Sequence, residues 1–216
     1  MNISVIINKR LTAYRYPYLV LRRMVLAELK LRYQNSILGY LWSFVKPLAM
    51  FAILYVVFVY VFNVGGTIPH YAPYLLLGIV MWNFFAEVTT VCVGSLVAKG
   101  DLLRKISFPE YTIILSSAAS ALINLLINFI VVFVLIVLNG ASLRITALLF
   151  PAVLLQLVLL GVSAGLILST LYVRLRDTNF ILEVFLQTAF YATPIIDPLS
   201  MLAQKSVLLA KIIMLN

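Results

Sequence analysis

LRYQNSILGYLWSFVKPLAM, residues Leu31 to Met50, is the stretch whose reading decides the fold. Arg32, Tyr33 and Gln34 are polar or interfacial, Ser36, Leu38 and Gly39 carry the chain onward, and Trp42 is an aromatic of the kind that settles at headgroup level. Lys46 and Pro47 then follow inside a long apolar run, Leu41–Phe62. The chain enters a bilayer here and leaves its cations on one side, so an all-α integral membrane protein is expected.

Composition agrees. Hydrophobic residues make up 64% of the chain and charged residues 11%, too apolar for a soluble domain. The formal charge of +9 is clustered rather than spread. The first forty residues hold no short apolar run ending at a small-residue cleavage site, so no cleaved leader is expected. The lone cysteine, Cys92, permits no internal disulfide and reads as a small packing residue.

Working outward, residues 1–40 read as an N-terminal segment carrying an interfacial helix. Pro17 suits a first helical turn. Leu19, Val25, Leu26, Leu29, Tyr33 and Ile37 recur at helical spacing, with Arg22, Arg23, Lys30 and Arg32 mostly off that stripe. Such a helix lies on a membrane surface with its cations toward anionic headgroups. Five apolar runs follow, at Leu41–Phe62, Tyr71–Ala98, Tyr111–Leu138, Ile145–Val173 and Phe180–Ile196. A crossing needs about 20 residues, so the first four clear that length and the fifth is marginal. Residues 41–196 thus form the transmembrane domain. Lys9, Arg10, Arg15, Arg22, Arg23, Lys30 and Arg32, then Lys99, Arg104 and Lys105, then Arg174 and Arg176 share one side, against Arg144, Lys205 and Lys211 on the other. The positive-inside rule puts the N-terminus in the cytoplasm. Residues 197–216 then lie outside as short helices dipping into the outer leaflet, and the abrupt end at Asn216 suggests a truncated chain.

Polar residues inside the spans are placed with purpose. Ser116, Ser120, Asn124 and Asn128 share one face of the third run, and Gly161, Gly165 and Ser169 make a small-residue face on the fourth; helix packing accounts for both. Intramembrane charges are costly and usually paired or functional. Lys46 and Glu183 each lie within about 8 Å of the inner face at ~1.5 Å rise per residue; an ion pair between them is expected, and snorkelling of either to water also fits. Glu87 lies deeper, with Asn83 and Thr90 on its face; a structural, hydrogen-bonded carboxyl and a proton-coupling one both fit. Phe44, Leu48, Phe51, Tyr55, Phe58 and Phe62 form a stripe on the first run. Packing and the lining of a sugar path both fit that stripe.

No catalytic machinery is visible. His70 is the sole histidine, which leaves metal sites and histidine-based catalysis without their usual parts. No GxxxxGK[ST] loop occurs, so ATP hydrolysis, if it drives this chain, belongs to a partner. KGDLLRKISFPE, from Lys99 to Glu110, sets Leu102, Leu103, Ile106 and Phe108 among Arg104 and Lys105. That amphipathic segment suits a membrane surface or a groove in another protein.

Three motifs in order carry a resemblance. RYQNSILGYLWSFVKPL (Arg32–Leu48) resembles the opening signature of permeases in the type-two ABC exporter class, polysaccharide-export branch. DLLRKISFPE (Asp101–Glu110) is similar to that family's first cytoplasmic loop, and RDTNFILEVFLQTAFYATPII (Arg176–Ile196) resembles its fifth span. The resemblance implies a six-span permease, of which five spans lie in this sequence. It would work as two copies with two ABC ATPase subunits, which bind the ATP and Mg, in a bacterial or archaeal inner or plasma membrane. The implied cargo is a lipid-linked O-antigen, capsular polysaccharide or teichoic acid; no nucleic acid is involved. Leu102, Leu103, Arg104, Lys105, Ile106 and Phe108 become the ATPase contact. Phe51, Tyr55, Phe58 and Phe62, with Phe190 and Tyr191, become the translocation path, and Thr193 and Pro194 the start of the outer gate. Glu110 departs from the basic residue common at that place in the family. A drug- or lipid-exporting permease of the same class, and an ion-coupled transporter using Glu87, are the competing functions.

Overall fold

The computed structural model describes residues 18–32, 34, 39–62, 70–105, 108–140 and 145–195. The regular elements among them are helices. They are α1 at 18–32, α2 at Trp42–Val56, α3 at Tyr71–Ala98, α4 at Gly100–Lys105, α5 at Tyr111–Leu138, α6 at Phe150–Arg174 and α7 at Thr178–Ala192. A 3₁₀ turn at Gly39–Leu41 leads into α2 and a π turn at Val57–Val61 extends it. Gly39 has φ +47°, a left-handed backbone open to glycine at little cost, and it turns the chain into the first span. Four helical stretches are long and apolar enough to cross a membrane: Gly39–Val61, Tyr71–Ala98, Tyr111–Leu138 and Ala147–Arg174. The protein is an all-α, multi-pass membrane protein, as the apolar runs indicate.

The central helix is α3, in contact with α2, α5, α6 and α7. Leu75, Leu76, Ile79, Val88, Cys92 and Val93 are fully buried around it, and a helix apolar on every side belongs inside a bundle. Close approach of α6 to α3 depends on the small-residue face. A Cβ at Gly161 would lie 2.6 Å from Val88 Cγ1, and one at Gly165 would lie 2.8 Å from Cys92 Cβ. Ser169 is buried on the same face.

The marginal fifth run resolves into a helix of 15 residues, about 22 Å at ~1.5 Å per residue, beginning at Thr178 and ending at Ala192. Its end has a simple cause. Thr193 precedes Pro194 and is forced into extended backbone, with φ −86° and ψ 140°. The following turn is fastened to the start of α3: the Tyr74 hydroxyl donates to the Pro194 carbonyl at 2.6 Å, and Ile195 is buried beside Gly78.

One expectation is corrected. Lys46 and Glu183 do not pair: both are exposed, and the ion pairs among the described residues are Arg32–Glu87 and Lys99–Glu28. Equal depth along two helices says nothing about which sides of the bundle they occupy. Lys46 lines a cleft between α2, α3 and α5, whereas Glu183 lies on the open side of α7, whose Leu182 and Leu186 face the core.

Candidate functional site

At the end of the bundle where α3 finishes and α5 begins, α1 is seated by charge. Its inward face carries buried Met24 and half-buried Val20, Leu21, Val25, Glu28 and Leu29. The anticipated stripe is therefore rotated: Val25 and Leu29 pack inward, Leu19 and Leu26 stay exposed, and Tyr33 and Ile37 lie outside the described residues. Glu28 is what turns the helix. Its carboxylate meets the Lys99 ammonium at the end of α3, accepts a hydrogen bond from Ser117 Oγ at 2.9 Å and lies 3.3 Å from Ser116 Oγ. Burial pushes the Lys99 ammonium down to about 8, desolvation prevailing over the carboxylate beside it.

One turn further along α1, Arg32 reaches Glu87 on α3, with Nη1 2.5 Å from Oε1. This is a charge contact rather than an aligned hydrogen bond, since Oε1 lacks a partner of proper hydrogen-bond geometry. Asn124 on α5 donates from Nδ2 to Glu87 Oε2 at 2.7 Å, and Asn128 Nδ2 caps the Asn124 carbonyl at 2.9 Å. The two ion pairs have opposite sense. Helix α1 presents minus then plus at positions 28 and 32, and α3 answers with plus at 99 and minus at 87. Only one seating of α1 satisfies both.

The second pair opens into a cleft of about 700 Å³. Arg32 from α1, Trp42, Ser43, Lys46, Pro47 and Met50 from α2, Val80, Asn83, Phe84 and Glu87 from α3, and Asn124, Leu125 and Asn128 from α5 line it. Glu87 and Lys46, singled out as intramembrane charges, thus meet in one place. Arg32, Asn83, Asn124 and Asn128 join them, while Glu183 does not. Glu28, and its pairing with Lys99, escaped the reading of the sequence, which took Lys99 only as an inner-side cation. The available signal was the i, i+4 spacing of Glu28 and Arg32, which puts opposite charges on one helical face.

The other expected site residues are distributed as follows. In α4, Leu102 and Leu103 are half-buried, as is Phe108 beyond it, whereas Asp101, Arg104 and Lys105 are exposed; Ile106 lies outside the described residues. Acid in the first turn and base in the last complement the helix dipole. Phe51, Tyr55 and Phe58 are half-buried and pack toward α3, with Tyr55 stacked 6.4 Å from Tyr71. Phe62 is exposed, and the face of this helix left open holds Ile53, Val56, Tyr60 and Val61. Phe190 is buried against Trp82, ring centroids 5.9 Å apart, and Tyr191 is exposed. Thr193 Oγ1 donates to the Ala189 carbonyl at 2.8 Å, and the Pro194 carbonyl is held by Tyr74.

A membrane bundle centred on α3, with a charged helix docked at one end, defines a class of membrane protein. Residues 20–216 match the ABC-2 type transporter family, and the chain belongs to it. Among its relatives is the O-antigen export system permease protein RfbA of Klebsiella pneumoniae, 30% identical over 179 residues, which are 82% of this chain and 68% of that protein. The protein of the same name from Myxococcus xanthus is 29% identical over 193 residues, 89% of this chain and 73% of its own length.

Proposed function

We propose that this chain is the permease subunit of an ATP-driven exporter that moves a lipid-linked polysaccharide out of the cytoplasm across the inner or plasma membrane. The observation that carries the reading is the similarity, over most of the chain, to permeases named for O-antigen export. The N-terminus faces the cytoplasm, by the asymmetry of Lys and Arg. Two copies work with two ATPase subunits, which bind ATP and Mg. The Leu102–Phe108 segment is their dock, its exposed edge being Arg104 and Lys105. The polymer passes between the two copies, with Thr193 and Pro194 at the outer gate.

The test is genetic and biochemical. Deleting the gene should leave polymer attached to its lipid on the cytoplasmic side, and wild-type chain should restore surface polymer. The double variant Arg104→Glu/Lys105→Glu should insert normally yet lose co-purification with the ATPase and lose export. Surface polymer that persists undiminished in the deletion strain would sink the reading.

A further inference from the structure

Among the described residues, the lining of the cleft holds more positive than negative charge. Glu87 is the acidic side chain that lines it, and both carboxylate oxygens are engaged, Oε1 by Arg32 and Oε2 by Asn124. Among the described residues, two cations line it. Arg32 spends one nitrogen, Nη1, on a charge contact with Glu87 and keeps further N–H donors. Lys46 is exposed within the cleft and makes no ion pair or hydrogen bond to the described residues. The amides of Asn83 and Asn128 are able to donate or accept, so the charges decide the sign of what fits. Lys46 lies one turn into α2, close after the exposed ring of Trp42, which is the depth of lipid headgroups.

We propose that this cleft is an anion site for a phosphate-bearing lipid headgroup, held by Lys46 and Arg32, with Glu87 occupying Arg32 while the site is empty. Carboxylate and phosphate compete for the same guanidinium, and a phosphate can take it in a two-pronged contact that Glu87, with Oε2 on Asn124, does not make. Glu87 therefore acts as an internal stand-in: it keeps Arg32 from being a bare charge inside the bundle, and it yields when a stronger anion arrives. Because Arg32 ends α1, exchange of its partner loosens one of the two ties that seat that helix. This deepens the reading of the chain as a permease for a lipid-linked substrate and rests on it.

Trp42 lines the cleft and reports on it. The chain has two tryptophans, so a Trp82→Phe background leaves Trp42 as the reporter. In that background, full-length chain in dodecyl maltoside micelles, whose headgroup carries no phosphate, is titrated with three probes. Dihexanoyl phosphatidic acid carries phosphate and acyl chains, dihexanoylglycerol the chains alone, and inorganic phosphate the anion alone. The first should change Trp42 emission saturably, the second should not, and the third should bind far more weakly. Lys46→Gln should weaken phosphatidic acid binding about tenfold, the equivalent of ~1.4 kcal/mol for one charge-assisted contact, with Lys46→Arg restoring it. Glu87→Gln should tighten binding roughly fivefold by removing the competitor, a change of ~1 kcal/mol. A response to dihexanoylglycerol equal to that of phosphatidic acid, or affinities untouched by Lys46→Gln and Glu87→Gln, overturns the proposal. Inorganic phosphate binding as tightly as phosphatidic acid overturns the lipid source and keeps the anion site. Export measured on the same variants in cells separates the two readings. Polymer still exported with a flat titration removes the anion site alone, whereas binding without any export by wild-type chain removes the permease reading.

Discussion

Gly161 shows how little room a residue leaves when helices of a membrane bundle meet. A methyl group there would strike Val88 Cγ1 at 2.6 Å, while Val88 Cβ lies 3.9 Å away. Gly161→Ala is therefore expected to destabilise the bundle by about 1–3 kcal/mol, the usual range for overpacking. Val88→Ala removes the atom that is struck, so Gly161→Ala/Val88→Ala should recover much of the loss. Thermal unfolding in detergent checks this; strictly additive losses would mean that α6 shifts instead of clashing. Lys99 gives a second prediction at this scale. Its ammonium is held down to about 8, against the usual 10.5, by burial. Because the folded value is the lower one, the unfolded chain binds the extra proton between those two pH values. The cost of burying the charge is in full force below pH 8 and fades as pH rises toward 10.5. Wild-type stability should accordingly rise relative to Lys99→Met across that window. A difference that falls instead would mean that the contact with Glu28 outweighs desolvation.

For whole elements, the seat of α1 is the feature most open to test. Arg32 and Glu87 side chains are 29% and 18% exposed, so the pair is partly shielded from solvent. Replacing one partner leaves a lone charge facing the open cleft and should cost about 1 kcal/mol, the upper end for a solvent-reachable pair; Arg32→Met/Glu87→Met should cost less than the two single changes together. A double-mutant cycle on thermal stability reads this directly, and equal, additive losses would show that the two residues stabilise the fold separately. The turn after α7 supplies a milder case. Tyr74→Phe deletes the hydrogen bond to the Pro194 carbonyl and should cost about 1 kcal/mol. Its signature is local: faster proteolysis after residue 192 with little change in the melting of the bundle. An unchanged cleavage pattern would leave burial of Ile195 as the sufficient anchor.

Taken whole, the molecule is a bundle whose apolar surfaces follow from composition and whose charged cleft does not. The four long spans, the small-residue face of α6 and the membership of an ABC-2 type transporter family are all legible in the chain itself. They depend on local or periodic properties: run length against bilayer thickness, and residue size at intervals of four. Even the early end of α7 is written in Thr193-Pro194, because proline restricts the residue before it. The partners of the charges depend on something else. Depth along a span can be counted from sequence, so Lys46 and Glu183 looked matched; the angle around the bundle cannot, and they lie apart. Arg32 and Glu87 are 55 positions apart in the chain, and only the packing of α1 across α3 and α5 brings them together. The aromatic stripe on α2 teaches the same point, since spacing put Phe51, Tyr55 and Phe58 on one face, and tertiary contact turned that face toward α3. Sequence fixes which faces exist, because periodicity is local; tertiary structure chooses what each face meets, because that choice minimises unpaired charge and empty space over the bundle as a whole.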